Sequence, residues 1–283
     1  MRIPFLRGGR VTLPIVVCAD DYGCSSSVCD AILDLAANGR ISAISCMTAS
    51  PLWPEQARRL ASLQNHADIG VHLTLVDDAP LTKMPLTAPH GRLPGLAALI
   101  TGSYRGALAL DEIAAEIRAQ CDAFVTALGC PPSYLDGHRH THVLPGIRDV
   151  VLDVVASYRP RPWVRNIAEP MGRIFTRRVA VPKTLVLTAL GGPFVRAAAA
   201  AGVAMNDGFS GVYALNADAD MPALFERFLT VTGRRPLIMC HPGAVQDATP
   251  LAATRVNEYA FLRSQAFTAL LARRGFHVAR FTA

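Results

Sequence analysis

The chain has 283 residues, 51% hydrophobic and 18% charged, a balance that excludes a disordered protein and leaves ample apolar surface for a core. Its net charge is 28 − 22 = +6, but the basic residues are scattered (Arg58-Arg59, Arg177-Arg178, Arg234-Arg235, Arg273-Arg274), with lysine only at Lys83 and Lys183, so no nucleic-acid partner is expected. The seven cysteines (18, 24, 29, 46, 121, 130 and 240) form no CxxC pair and are odd in number, which fits reduced thiols better than a disulfide framework.

From the amino terminus, MRIPFLRGGR has no apolar stretch long enough for a secretory segment, and a cytoplasmic location is expected. An apolar run predicts a first strand over 14–19. A helix follows over 26–37, with Ser25 or Ser26 as its cap and Asn38-Gly39 as its stop. Further strands are predicted over 43–48, 68–74, 133–137, 162–166, 209–214, 236–240 and 276–280. They alternate with helices over 54–64, 111–128, 146–157, 184–201, 220–232 and 254–274. The clearest helix, 111–128, carries Ile113, Ile117, Cys121, Phe124 and Leu128 on one stripe, Asp111-Glu112 at its start and Gly129 as its stop.

Such alternation predicts an α/β protein with a largely parallel sheet. Seven or eight βα units in this length match a closed or nearly closed, TIM-barrel-like (β/α) barrel with seven or eight parallel strands, an open doubly wound sheet being the alternative. One domain over 1–283 is expected. The connection 77–110, with Pro80, Pro85, Pro89 and Pro94, reads as a flap over a site. The apolar segment 179–205, broken by Gly191-Gly192-Pro193, lacks the ~18 uninterrupted apolar residues of a membrane span. It reads as a core helix or as an apolar lid that meets a greasy substrate or the bilayer face.

Polar residues interrupt the apolar runs at strand ends. Asp20-Asp21 close the first strand, His72 comes late in DIGVHL, Asp136 and His138 close SYLDGH, and His241 follows PLIMC. In a (β/α) barrel these ends converge on one face, where active sites lie. Each feature has a plain alternative: a capped turn for the aspartates, a core histidine for His72, a turn histidine for His241 before Pro242-Gly243. Their coincidence carries the weight, together with His138, His140 and His142 at alternate positions of HRHTH. One carboxylate and two imidazoles around a divalent cation form the ligand set of a hydrolytic centre, suited to Zn²⁺ and tolerated by Mg²⁺, Mn²⁺, Co²⁺ or Ni²⁺. Of two adjacent aspartates, one binds the cation and the other takes a proton. Arg165 and Glu169 end another strand and read as a structural ion pair in preference to a grip on sugar hydroxyls.

The ordered set CADDYGCS (18–25), IGVHLTL (69–75), LDGHRHTHVLP (135–145) and MCHPG (239–243) resembles the YdjC-like carbohydrate deacetylases, through most of the chain. That family includes chitooligosaccharide deacetylase and hopanoid-biosynthesis-associated deacetylases. The resemblance implies a distorted (β/α) barrel with Asp21, His72 and His138 as ligands of one divalent ion, Zn²⁺ or Mg²⁺. It further implies Asp20 as general base and His241 as general acid, the order of the two aspartates being the open point. His140, His142 and Tyr22 are assigned to the substrate side. Gly137 and Arg139 depart from the residues common in relatives, which blurs the substrate. The implied reaction removes the N-acetyl group from an N-acetylglucosamine-type sugar. The 179–205 segment and NDGFSGVY (206–213) resemble the hopanoid branch, so a lipid-linked sugar, acetylglucosaminyl hopanoid, is preferred over chitooligosaccharide, with peripheral contact at the inner membrane face and an open oligomeric state. The rivals are a metal-dependent phosphoesterase, which would want two cations and a phosphate clamp, and a non-catalytic sugar- or lipid-binding protein.

Overall fold

A computed structural model describes residues 12–249 and 251–282; the reading of MRIPFLRGGR lies outside the described residues. The central strand β1 (Leu13–Tyr22) is buried from Ile15 onward, as expected of an apolar run covered on both faces. After α1 (Ser26–Ala37) come β2 (Ala43–Cys46), α2 (Trp53–Arg59) and β3 (Asp68–Leu73). Then follow α3 (Leu96–Tyr104), α4 (Leu110–Leu128), β4 (Tyr134–Gly137), α5 (Ile147–Ser157) and β5 (Trp163–Val164). The last third holds α6 (Met171–Arg177), α7 (Val181–Ala200), β6 (Gly208–Ser210), α8 (Met221–Phe228), β7 (Pro236–Cys240), α9 (Ala252–Arg263), α10 (Gln265–Arg274) and β8 (Phe276–Val278).

All strand pairs are parallel, in the order β5-β4-β3-β2-β1-β7-β6, with β8 paired to the start of β1. This is the expected distorted (β/α) barrel. Its seam lies between β5 and β6, where a single bridge joins Val164 to Met205. Two amides complete it: Asn166 N donates to Asn206 Oδ1 (2.8 Å), and Asn206 Nδ2 donates to Asn166 O (2.9 Å). At the opposite end from the strand-terminal polar residues, Phe281 packs on Trp163 (4.7 Å between ring centroids) under Arg235, so the chain end covers the barrel floor.

The predicted 254–274 helix is two helices. Ser264 leaves the helical conformation (ψ 161°) and its side chain caps α10 by accepting from Phe267 N. α3 and α6 were not anticipated. The 77–110 connection holds α3 and is clasped by α4: Leu81 N and Thr82 N donate to Glu116 (3.0 and 2.8 Å), Leu86 N and Thr87 N to Glu112 (2.9 and 2.8 Å). α7 starts three residues early because Pro182 suits a first helical turn. It buries Thr184, Leu187, Gly191, Phe194 and Ala198 on one stripe. A Cβ on Gly191 would stand 2.8 Å from Ile167 Cγ1, which is why glycine is found at that crossing. Among the described residues no helix is long and apolar enough to cross a membrane.

Candidate active site

Regular strand geometry would send the side chains of Asp20 and Asp21 to opposite faces. Here the β1–β2 register shifts between Ala19 and Tyr22, and Asp21 takes a left-handed conformation (φ 69°), so both carboxylates turn to one site. His72 Nε2 lies 3.4 Å from Asp21 Oδ1 and 4.0 Å from Asp20 Oδ2. In the parallel ladder His72 stands beside Asp136, whose Oδ1 holds His72 Nδ1 at 2.6 Å. That contact orients the ring and leaves Nε2 facing the aspartates.

Beyond β4 the chain enters a short 3₁₀ turn (His138–Val143) in which Arg139 and His140 are left-handed (φ 52° and 62°). Strained, non-glycine backbone of this kind clusters at functional sites. It brings His138 Nδ1 to 3.0 Å from Asp21 Oδ1. A Cβ on Gly137 would lie 3.0 Å from His142 N, so the turn would have to give by a few tenths of an ångström to admit one.

Arg165, at the end of β5, grips Asp20 with two nitrogens (NH1–Oδ2 2.7 Å, NH2–Oδ1 2.6 Å) and also reaches Asp136 Oδ2 at 2.5 Å. From α9, Arg255 donates to Asp21 Oδ2 at 2.6 Å. One turn further on, Glu258 accepts from the His241 backbone N–H and from Tyr213 Oη (2.6 Å). Each carboxylate thus has its own guanidinium.

Burial opposes the ionised form of both aspartates. For Asp20 the Arg165 and His72 charges outweigh it, and for Asp21 His138, His72 and Arg255 do, so both stay well below the usual carboxylate range. Burial likewise opposes a charged His72, but Asp136 and Asp20 outweigh it and push the ring up to about 10. The pocket therefore favours positive charge at His72 Nε2. Burial keeps His140 and His142 neutral, with His142 lowered to about 4 and the Arg165 charge adding to the effect on His140.

Asp21, His72 and His138 each offer one donor atom, and these lie within 4.8 Å of one another. Two imidazoles and a carboxylate around one point fit a divalent cation. A second trio of comparable spacing, Cys18, Asp20 and Asp136, is different. Arg165 contacts all three, so a guanidinium already supplies its positive charge.

The structure brings Asp20, Asp21, His72 and His138 together. His241 ends β7 beside them, close enough to contribute to the electrostatics of Asp20, with its ring Nδ1 buried and unpartnered. His140 stands edge-on to Phe209 (5.5 Å), partly exposed, also with an unpartnered Nδ1. Two residues read as substrate contacts lie inside the protein. His142 is fully buried, with Nε2 on Arg165 O (2.9 Å) and its ring against Phe194. Tyr22 is fully buried and donates to Gln56 O (2.9 Å). Arg165 and Glu169 do not pair with each other: Glu169 faces Arg177 (3.2 Å) and Arg173 (3.5 Å). Arg165 carries a visible signal, a charge closing an apolar strand. Arg255 and Glu258 carry none, because their helical spacing is that of any solvated face.

Fold and site together define a (β/α)-barrel protein with a carboxylate–imidazole centre at the carboxyl ends of its strands. The chain belongs to the YdjC-like protein family, whose profile matches residues 14–273. It is 34% identical over 138 residues to a chitooligosaccharide deacetylase of Yersinia pestis, covering 48% of this chain and 53% of that one, and equally to one of Yersinia pseudotuberculosis. The chain thus spans about half the length of the curated relatives it matches. A crystal structure of a protein described as a cellobiose-phosphate cleavage protein, from Enterococcus faecalis V583, shares the fold: TM-score 0.72 at 19% identity, covering 96% of this chain and 98% of that one.

Proposed function

We propose that the protein is a carbohydrate N-deacetylase that hydrolyses the acetamido group of an N-acetylglucosamine-type sugar. The observation that carries this reading is the meeting of Asp21, His72 and His138 around one point, with Asp20 beside it. The curated relatives named chitooligosaccharide deacetylase support the same chemistry. Asp21, His72 and His138 would hold one divalent ion, Zn²⁺ or Mg²⁺, and such an ion supplies Lewis acidity toward the acetyl oxygen and a nucleophile at neutral pH.

The chain's own residues do the rest. Asp20 is the general base that takes a proton from the attacking water, and Arg165 fixes its carboxylate by the two-nitrogen grip. Arg255 does the same for Asp21. His241 is the general acid that protonates the departing sugar nitrogen, its backbone held by Glu258. Acetate and a free amino sugar leave. His140, whose Nδ1 lacks a partner, is a substrate contact, whereas His142 and Tyr22 serve as supports behind the site. The guanidinium in the second trio favours one cation over the two a phosphoesterase would use.

The preferred substrate is a sugar carried on a lipid, acetylglucosaminyl hopanoid, which matches the likeness of the 179–205 segment to that branch; soluble chitooligosaccharide is the second reading, favoured by the curated relatives. The test is acetate release from acetylglucosaminyl hopanoid and from di-N-acetylchitobiose. Faster release from the hopanoid is expected. Release from neither, by protein holding one equivalent of Zn²⁺, would refute deacetylation and leave the binding-protein rival standing.

A further inference from the structure

Beside the loop that follows β6, a cleft of about 640 Å³ runs between the first turn of α7 and the side of α8, with Tyr213 and Asn216 also on its lining. Its walls are mainly apolar, from Val179, Ala180, Pro182 and Leu224. Arg178 and Arg227 border both this cleft and a second hollow that extends to Phe175, so two guanidiniums stand at the junction. Lys183 lines the cleft as well. All three cations are exposed, and among the described residues none is ion-paired with a carboxylate. The two acids on the lining are engaged locally: Asp220 caps α8 by accepting from Ala223 N, and Asp218 accepts from Asn216 Nδ2.

Large apolar side chains are exposed on the same two helices, α6 and α7, and Phe175 lines the second hollow. Phe175 is 53% exposed, and Met171, one turn earlier on α6, is 52% exposed. Val186, one turn beyond Pro182 on α7, is 58% exposed. Single apolar residues on a surface mean little. Three on helices that flank a trough lined by cations without a carboxylate partner match the two halves of an amphiphilic interface, anionic headgroup and acyl chain. A free anion would leave the apolar rim unexplained.

We propose that the α6–α7–α8 face docks on an anionic bilayer, a lipid phosphate lying between Arg178 and Arg227 while Met171, Phe175 and Val186 enter the headgroup boundary. The docking uses none of the residues assigned to deacetylation and goes beyond that reading.

The test is co-sedimentation of the full chain with vesicles of phosphatidylcholine alone and of phosphatidylcholine mixed with phosphatidylglycerol. The mixed vesicles should bind far better, and salt should weaken the binding. Arg178→Gln with Arg227→Gln should lower that binding roughly thirty-fold, at about one order of magnitude for each 1.4 kcal/mol and ~1 kcal/mol per basic residue. Arg58→Gln with Arg105→Gln makes the same change in net charge elsewhere and should leave it intact. Equal binding to both vesicle types, or equal loss in both double variants, would overturn the proposal. Should the cleft double variant fail to fold, Met171→Gln with Val186→Gln reads the apolar half, and undiminished binding there would also overturn it. Because no turnover is measured, failure of acetate release and failure of docking are separate results.

Discussion

Asp68 and Asp21 are both buried aspartates on strands of one sheet, at opposite ends of the barrel. Asp68 begins β3 at the floor, where Oδ1 accepts from Arg280 Nε (3.0 Å) and Thr282 Oγ1 and Oδ2 accepts from the backbone N–H groups of Phe281 (2.8 Å) and Thr282 (3.3 Å). Its hydrogen-bonding capacity is met by the chain end, and the result is a staple. Asp21 gives one oxygen to Arg255, but the other faces His138 Nδ1 and His72 Nε2. Each ring nitrogen donates or accepts according to its tautomer, and the carboxylate oxygen only accepts, so a proton or a cation lies between it and the imidazoles. Burial of a carboxylate is common to both regions. What separates a candidate site from a staple is unshared acceptor capacity aimed at one point.

The comparison breaks most severely at the imidazoles. His72→Ala or His138→Ala should abolish both metal content, measured by elemental analysis, and acetate release; if both variants hold metal as the wild type does, the ligand set is wrong. Asp20→Asn comes next, with metal retained and kcat lowered about 10³-fold, the range for loss of a general base. Asp68→Ala should do the reverse, costing about 4 kcal/mol of stability in urea unfolding, because Arg280 and the chain end lose a buried partner, with metal content unchanged.

The smallest effect sharpens the contrast within the HRHTH turn. The folded pKa of His142, about 4, lies below the ordinary 6.5. Above pH 6.5 neither folded nor unfolded chain protonates it. As pH falls from 6.5 to 4 the unfolded chain gains a proton that the folded chain refuses, and up to about 3 kcal/mol of stability is lost. His142→Gln should flatten that part of the stability profile relative to the wild type.

Each expected strand overlaps an observed one, though β5 keeps only Trp163–Val164 and β6 only Gly208–Ser210; the long central strands are the most legible, because a strand buried on both faces needs an unbroken apolar run and little else. The two unpredicted helices have the opposite character. α6 is only seven residues long, and α3 sits in a connection held by the carboxylates of Glu112 and Glu116, so tertiary contacts and not local pattern stabilise that region. In the site, Asp20, Asp21, His72, His138 and His241 are legible as polar residues ending apolar strands. Arg255 and Glu258 are not, since a helix that turns charge inward has the same residue spacing as one that turns it outward.

Residue order along the chain determined the strands, most helices, the barrel class and the residue types of the centre, because each depends on periodicity and on neighbours a few positions away. Only the folded barrel decided that both carboxylates of the Asp20-Asp21 pair face one point, that Arg165 and Arg255 divide them, and that His142 and Tyr22 turn inward. The division of the carboxylates depends on charges over a hundred residues apart losing their water together, and the electrostatic gain exists only once closure has brought the partners within hydrogen-bonding distance.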